Sequence, residues 1–126
     1  MLEKEFIPYQ EALALKELGF DEPCFGWFTF GHLRKGTIVE NKHVQGEGEL
    51  LAPTYSQAFR WFREKHNLHV NKTGNNFYTS FNIVEPDMVV LSFKRYTDTE
   101  NHYEEAELEC LRKLIEITKV QEINRR

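Results

Sequence analysis

Few residue types in this chain could carry chemistry, and they are scattered: two cysteines, five histidines and several clusters of carboxylates. His66 and His69 stand three residues apart, a spacing that can hold a metal ion. His66, however, belongs to the inner face of an expected helix, whereas His69 opens a strand. Neither cysteine has a Cys or His nearby in the chain, and zinc sites usually declare themselves by close pairs of ligands. The histidines at 32, 43 and 102 lie elsewhere, so no metal site is expected. Cys110 falls on the apolar stripe of a helix and reads as an inert buried thiol, because a reactive cysteine needs an exposed, electropositive setting. Cys24 leads into a run of aromatics. The paired glycines Gly46 and Gly48 flank Glu47, and negative side chains repel phosphate. Glu104, Glu105, Glu107 and Glu109 crowd the start of a helix, where negative charge offsets the positive helix end. With no serine-hydrolase elbow, no HExxH and no phosphate-loop pattern, neither a catalytic residue nor a cofactor is expected.

Binding chemistry is better represented. The stretch TYSQAFRWFREKH (54–66) carries four aromatic rings and three cations. At 100° per residue from Tyr55, Phe59, Phe62 and His66 fall within about 40° of it, with Ala58 at about 300°. Arg60, Arg63 and Glu64 belong to the opposite, solvated side. Trp61, at about 240°, stands off the stripe beside Lys65, either covered by a neighbouring segment or offered to a partner. Arg60, Arg63, Lys65 and Lys72, with His66 and His69 adjoining, make a local basic cluster that Lys94 and Arg95 could join. In CFGWFTFGHL, Phe25 and Trp27 face one way and Phe28 and Phe30 the other, with Gly26 and Gly31 permitting close approach. The candidate ligand or partner residues are therefore Trp27, Trp61, Arg60, Lys65, His69 and Lys72, the tryptophans forming a cleft with the loop 41–52.

The elements that must position these residues follow from periodicity and punctuation. A first helix is expected over 8–18, opened by Pro8 and stopped by Gly19. Two strands at 24–31 and 36–40 turn at Arg34-Lys35-Gly36, and 41–52 reads as loop. A second helix opens at Thr54, spaced from Gln57 as a capping box. Three alternating strands then form an antiparallel meander, Phe77 opening the middle one, with turns at NKTGNN and EPD. Asn71-Lys72-Thr73, a match to the glycosylation sequon, reads as part of the first of these turns. A third helix over 102–120 has Tyr103, Ala106, Cys110, Leu114 and Ile117 on one stripe. Leu108, Leu111, Ile115 and Thr118 widen that stripe to about 200°, more than one sheet face covers. Either the first helix packs beside it, or Leu108, Leu111 and Ile115 are candidates for the face of a homodimer. Each helix opens Tyr-x-x-Ala (Tyr9/Ala12, Tyr55/Ala58, Tyr103/Ala106), which places both residues on one face.

The expected fold is a single α+β domain over 1–126, an antiparallel sheet of about five strands with three helices in the order α-ββ-α-βββ-α. At 126 residues, 40% hydrophobic and 29% charged, the chain can bury an ordinary core. Net charge is −4 with a pI of about 5.7, unlike a protein that coats duplex nucleic acid. The acidic start MLEKEFIPYQ has no apolar signal core, and no run approaches bilayer length. The expected setting is the reducing cytoplasm, with no membrane partner.

The segments FIPYQEALALKELGFDEPCFG, APTYSQAFRWFREKHNLHV and YEEAELECLRKLIEI resemble, in that order, a group of small uncharacterised proteins of bacteriophages and prophage-rich bacterial genomes. They cover roughly half the chain. The resemblance implies a phage or prophage context in a bacterial host cell, and no activity, cofactor or site residue. The function expected is that of a non-enzymatic accessory protein that binds a protein partner. The alternative is a small-ligand or nucleotide site in the aromatic cleft, with nucleic-acid binding by the basic cluster a weaker third.

Overall fold

A computed structural model describes residues 2–74, 78–85, 88–96 and 102–124. The chain forms two compact units, 1–57 and 58–126. Among the described residues, three α-helices and six antiparallel strands make an α+β fold, with the strands divided between two three-stranded sheets. The expected order is kept, but Glu49–Leu51 adds a strand and the sheets are separate.

In the first unit, helix α1 (Tyr9–Glu17) follows Pro8 and ends where Gly19 takes φ +101°. That left-handed residue lets the Phe20 N–H reach back to the Leu15 carbonyl (2.9 Å) and the Gly19 N–H to Lys16 (3.0 Å), satisfying carbonyls the helix leaves open. Phe20 then folds into the core at 4% exposure. The sheet has the order β2–β1–β3, with β1 (Cys24–Thr29) between β2 (His32–Val39) and β3 (Glu49–Leu51). The turn between β1 and β2 is Phe30-Gly31, not Arg34-Lys35-Gly36, which lies inside β2. A type I′ two-residue hairpin turn needs positive φ at both central residues, and Phe30 (50°) and Gly31 (84°) supply it. Phenylalanine is a poor turn residue, which hid the turn in the sequence. Its strained backbone is held by the Phe30 N–H donating to the Gly48 carbonyl at 2.7 Å, with its ring lying against Gly48. The expected loop 41–52 is correspondingly ordered: one 3-10 turn (Asn41–His43) and then β3, paired to β1 through Trp27–Leu51, Phe28–Leu50 and Thr29–Glu49.

Burial along β1 alternates, with Cys24, Gly26 and Phe28 inward and Phe25 outward. Helix α1 covers the inward face, where Tyr9 meets Phe28 edge-to-face at 5.4 Å. The close approach expected at Gly26 is made by the Phe6 ring, which a Cβ there would meet at 2.6 Å. Gly31 serves the turn instead.

Helix α2 (Tyr55–His66) is capped by Thr54, whose hydroxyl accepts the Gln57 N–H at 3.2 Å. Only half of the capping box forms, because the Gln57 side chain donates to the Pro23 carbonyl (2.8 Å) and ties the helix start to the segment before β1. The helix ends as expected at His66, with Asn67 left-handed at φ 57°.

The second unit contains the meander β4 (His69–Gly74), β5 (Tyr78–Glu85) and β6 (Met88–Tyr96), with helix α3 (His102–Asn124) packed against β5 and β6. Asn71-Lys72-Thr73 is not a turn: the three residues pair with Asn82, Phe81 and Ser80. Residues 75–77, with Phe77, and 86–87, where the two tight turns were expected, lie outside the described residues. Ala12, Ala58 and Ala106 are all buried, so the alanine of each repeated opening lies on the inner face of its helix.

Candidate functional site

The side chains expected to do chemistry are held by structural roles. The His66 ring packs edge-on against Trp61 at 4.9 Å and tilted against Phe62 at 6.0 Å. His69 Nε2 bonds to Asn67 Oδ1 at 3.1 Å. The two histidines thus turn to different partners, and among the described residues no group of three His, Cys, Asp or Glu could hold a metal. His43 closes a small capping box with Glu40, its Nδ1 accepting the Glu40 N–H at 3.1 Å. Of the paired carboxylates, Glu49 accepts the Gly46 N–H at 2.9 Å and so shapes the loop before β3.

Both cysteines are free and buried. Burial pushes the Cys24 thiol up to about 12, with the Glu22 carboxylate adding to it, while its hydrogen bond with Gln57 lowers it somewhat. Burial and then Glu107 push Cys110 up to about 12. A thiol so protected is no nucleophile, and a disulfide-exchange reagent at pH 8 should label neither cysteine until the chain unfolds. The sign of the pH effect follows. The folded values lie above the ordinary 9.0, so the stabilisation is complete below pH 9 and is lost as pH rises from about 9 to 12. Denaturant midpoints should fall across that window, less steeply in Cys110→Ala.

The aromatic-basic helix resolves cleanly. Tyr55, Ala58, Trp61 and Phe62 are buried, whereas Arg60, Arg63, Glu64 and Lys65 are exposed. Trp61 is only 3% exposed and meets Phe62 edge-on at 5.0 Å. The buried arc is therefore centred near 300° instead of 0° on the 100° count, turned toward the indole. Phe59, expected inside, is half-buried. The largest apolar ring decides which way the helix rolls, because it removes the most apolar surface from water.

Each candidate can now be placed. Trp27 is half-buried on β1, paired with Arg34 on one side and Leu51 on the other. Trp61 is a core residue, and its ring is not presented as a platform. Arg60 lies on the exposed back of α2, Lys65 is exposed in its last turn on the Trp61 side, and His69 is half-buried. Lys72 stands in a cross-strand row with Phe81 and Phe93, while Lys94 stands in the adjacent row with Ser80. A recess lined by Ala12, Lys16, Phe20, Val44 and Leu50 has a volume of about 10 Å³, room for about one water.

On α3 the wide stripe is real, with Ala106, Cys110, Leu111, Leu114, Ile115 and Thr118 all buried. The buried Thr118 hydroxyl donates to the Leu114 carbonyl at 2.8 Å. Leu111 (0% exposed) and Ile115 (7%) are covered within one chain, so they do not form a dimer face. Leu108 is half-buried.

What does stand open is the β1–β2 hairpin. Phe25 is 52% exposed, Phe30 71% and Ile38 65%. Phe25 and Trp27 alternate with the buried residues of β1. Ile38 adjoins Val39, which pairs with buried Cys24; the ladder is irregular between Cys24 and Gly26, and there Phe25 and Ile38 are both exposed. Residues 24–39 contain Arg34, Lys35 and His32 and no carboxylate, in a chain of net charge −4. The sequence signals were the two-sided aromatic run and this local absence of acid.

No family model matches this chain, and neither a curated protein nor a solved structure matches it. Among the described residues no helix is long and apolar enough to cross a membrane.

Proposed function

We propose that this chain is a small accessory protein of the phage and prophage kind. It acts in the cytoplasm of a bacterial host by binding a protein partner and catalyses no reaction. The observation that carries the reading is the outer face of the hairpin, where Phe25 and Ile38 are more than half exposed beside Trp27 and Arg34. Single exposed apolar residues are ordinary, but aromatic and aliphatic groups gathered on one face with an arginine have the composition of an interface centre. The three sequence segments that resemble phage and prophage proteins support the setting. The cleft alternative is the weaker reading, because the Trp61 ring is in the core.

The test pairs Phe25→Ser with Ile38→Ser in one variant. Both positions are surface sites, so the unfolding midpoint should barely move. Retention of a bacterial partner by the immobilised chain should fall at least about tenfold, as loss of interface anchors does. Unchanged retention in a folded variant would remove the hairpin from the account.

A further inference from the structure

The geometry points to the form of that partner: an extended, acidic segment that adds as a fourth strand along β2. The inference rests on the protein-binding reading and specifies its mode. β2 ends the order β2–β1–β3, so one of its long sides has no strand neighbour among the described residues. Its ladder with β1 is regular from His32 to Lys35, beyond which a register shift and Gly36 (φ +118°) interrupt it; along that regular part, strand addition takes affinity from main-chain bonds and specificity from alternate side chains.

The backbone groups of β2 face that open side at defined positions. Thr29 and His32 flank the two-residue turn and so exchange both of their hydrogen bonds. Leu33, the next residue, pairs with Phe28 without such bonds and turns its N–H and C=O to the open edge. The other side of β1 agrees: Gly26, of the same parity as Phe28, gives its carbonyl to the Ala52 N–H at 3.0 Å, toward β3 and away from β2.

Charge selects the occupant. Arg34 and Lys35 are exposed, His32 adjoins them, and no acid lies between Cys24 and Val39. An edge strand usually carries charge to repel other strands. Here the charge has one sign, so it repels basic strands and admits acidic ones. A second copy is a poor occupant. Antiparallel pairing of two β2 strands over their full length sets Arg34 opposite Thr37 and Lys35 opposite Gly36, so β2 itself offers no carboxylate to either cation.

Two eight-residue peptides serve as probes, one alternating glutamate with valine and the other lysine with valine. Amide exchange is followed by NMR on the isotope-labelled full chain. The glutamate peptide is expected to slow exchange at Leu33 by about tenfold or more, and the lysine peptide to leave it unchanged. Arg34→Glu combined with Lys35→Glu should reverse that preference. Slowing by both peptides alike overturns the acidic class. Shifts at Phe25 and Ile38 with no slowing at Leu33 overturn strand addition while leaving the protein-binding reading intact. A hairpin that responds to neither peptide overturns the inference, and the serine variant above then judges the broader reading separately. Slow exchange at Leu33 without peptide, together with a dimer mass in light scattering, assigns the edge to a second copy and also overturns it.

Discussion

Trp61→Ala is expected to lower the unfolding free energy by about 3–5 kcal/mol, the range for truncating a buried tryptophan. The indole is 3% exposed and packs edge-on against both Phe62 and His66. Alanine at that position leaves a void bounded by those two rings, which are themselves fixed by the helix. Urea denaturation measures the loss, and Trp61→Phe should recover much of it by refilling the space. A tryptophan offered to a ligand behaves in the opposite way, since its removal weakens binding and spares stability. A change under about 1 kcal/mol would return Trp61 to the surface and reopen the cleft reading.

Leu111→Asp separates a core face from a dimer face with an effect of similar size. Leu111 has no exposed surface in a single chain. An aspartate there forfeits the leucine packing, about 2–5 kcal/mol, and brings in a carboxylate that must be buried unpaired or protonated. The expected result is a chain that fails to fold at 25 °C, seen as loss of cooperative unfolding by circular dichroism. Were Leu111 part of a subunit interface, the variant would be a well-folded monomer. Leu108→Asp, at a half-buried position of the same helix, should be tolerated much better.

The contrast between these helices shows what the sequence can express. Periodicity located all three helices and both edges of the meander's middle strand within a few residues, because burial imposes a period of 3.6 or 2. It also gave the width of the α3 stripe. It could not tell whether a second chain or the rest of the same chain covers that width. On α2 the period was right and the phase was wrong. Equal weight for every apolar residue put Phe59 inside, whereas the area of the indole turned the helix toward Trp61. At the first hairpin, local chemistry misled. Arg34-Lys35-Gly36 has turn composition, yet the chain turns at Phe30-Gly31, where an unfavourable residue is held by the distant Gly48 carbonyl and by the absence of a Cβ on Gly48. No local pattern announces a constraint supplied from eighteen residues away. β3 was missed for a related reason, since three residues between glycines and a proline carry too little alternation to register.

The candidate surface shares that history. With the turn placed at 34–36, Ile38 and Phe25 had no defined relation, and Arg34 was a loop cation. The observed register puts Arg34 opposite Trp27, and Ile38 and Phe25 are both exposed where the ladder is irregular. What looked like an aromatic strand with helices on one side and a loop on the other becomes an exposed, acid-free hairpin with an open edge.

That this hairpin is where a protein docks is tested most directly by site-specific photo-crosslinking. A photoreactive phenylalanine analogue replaces Phe25 in one chain and Lys119, an exposed position on α3, in another. Each is irradiated in bacterial cells. The expected result is a discrete covalent adduct with one protein from position 25 and none from position 119. No adduct from 25, or the same adducts from both positions, would contradict it.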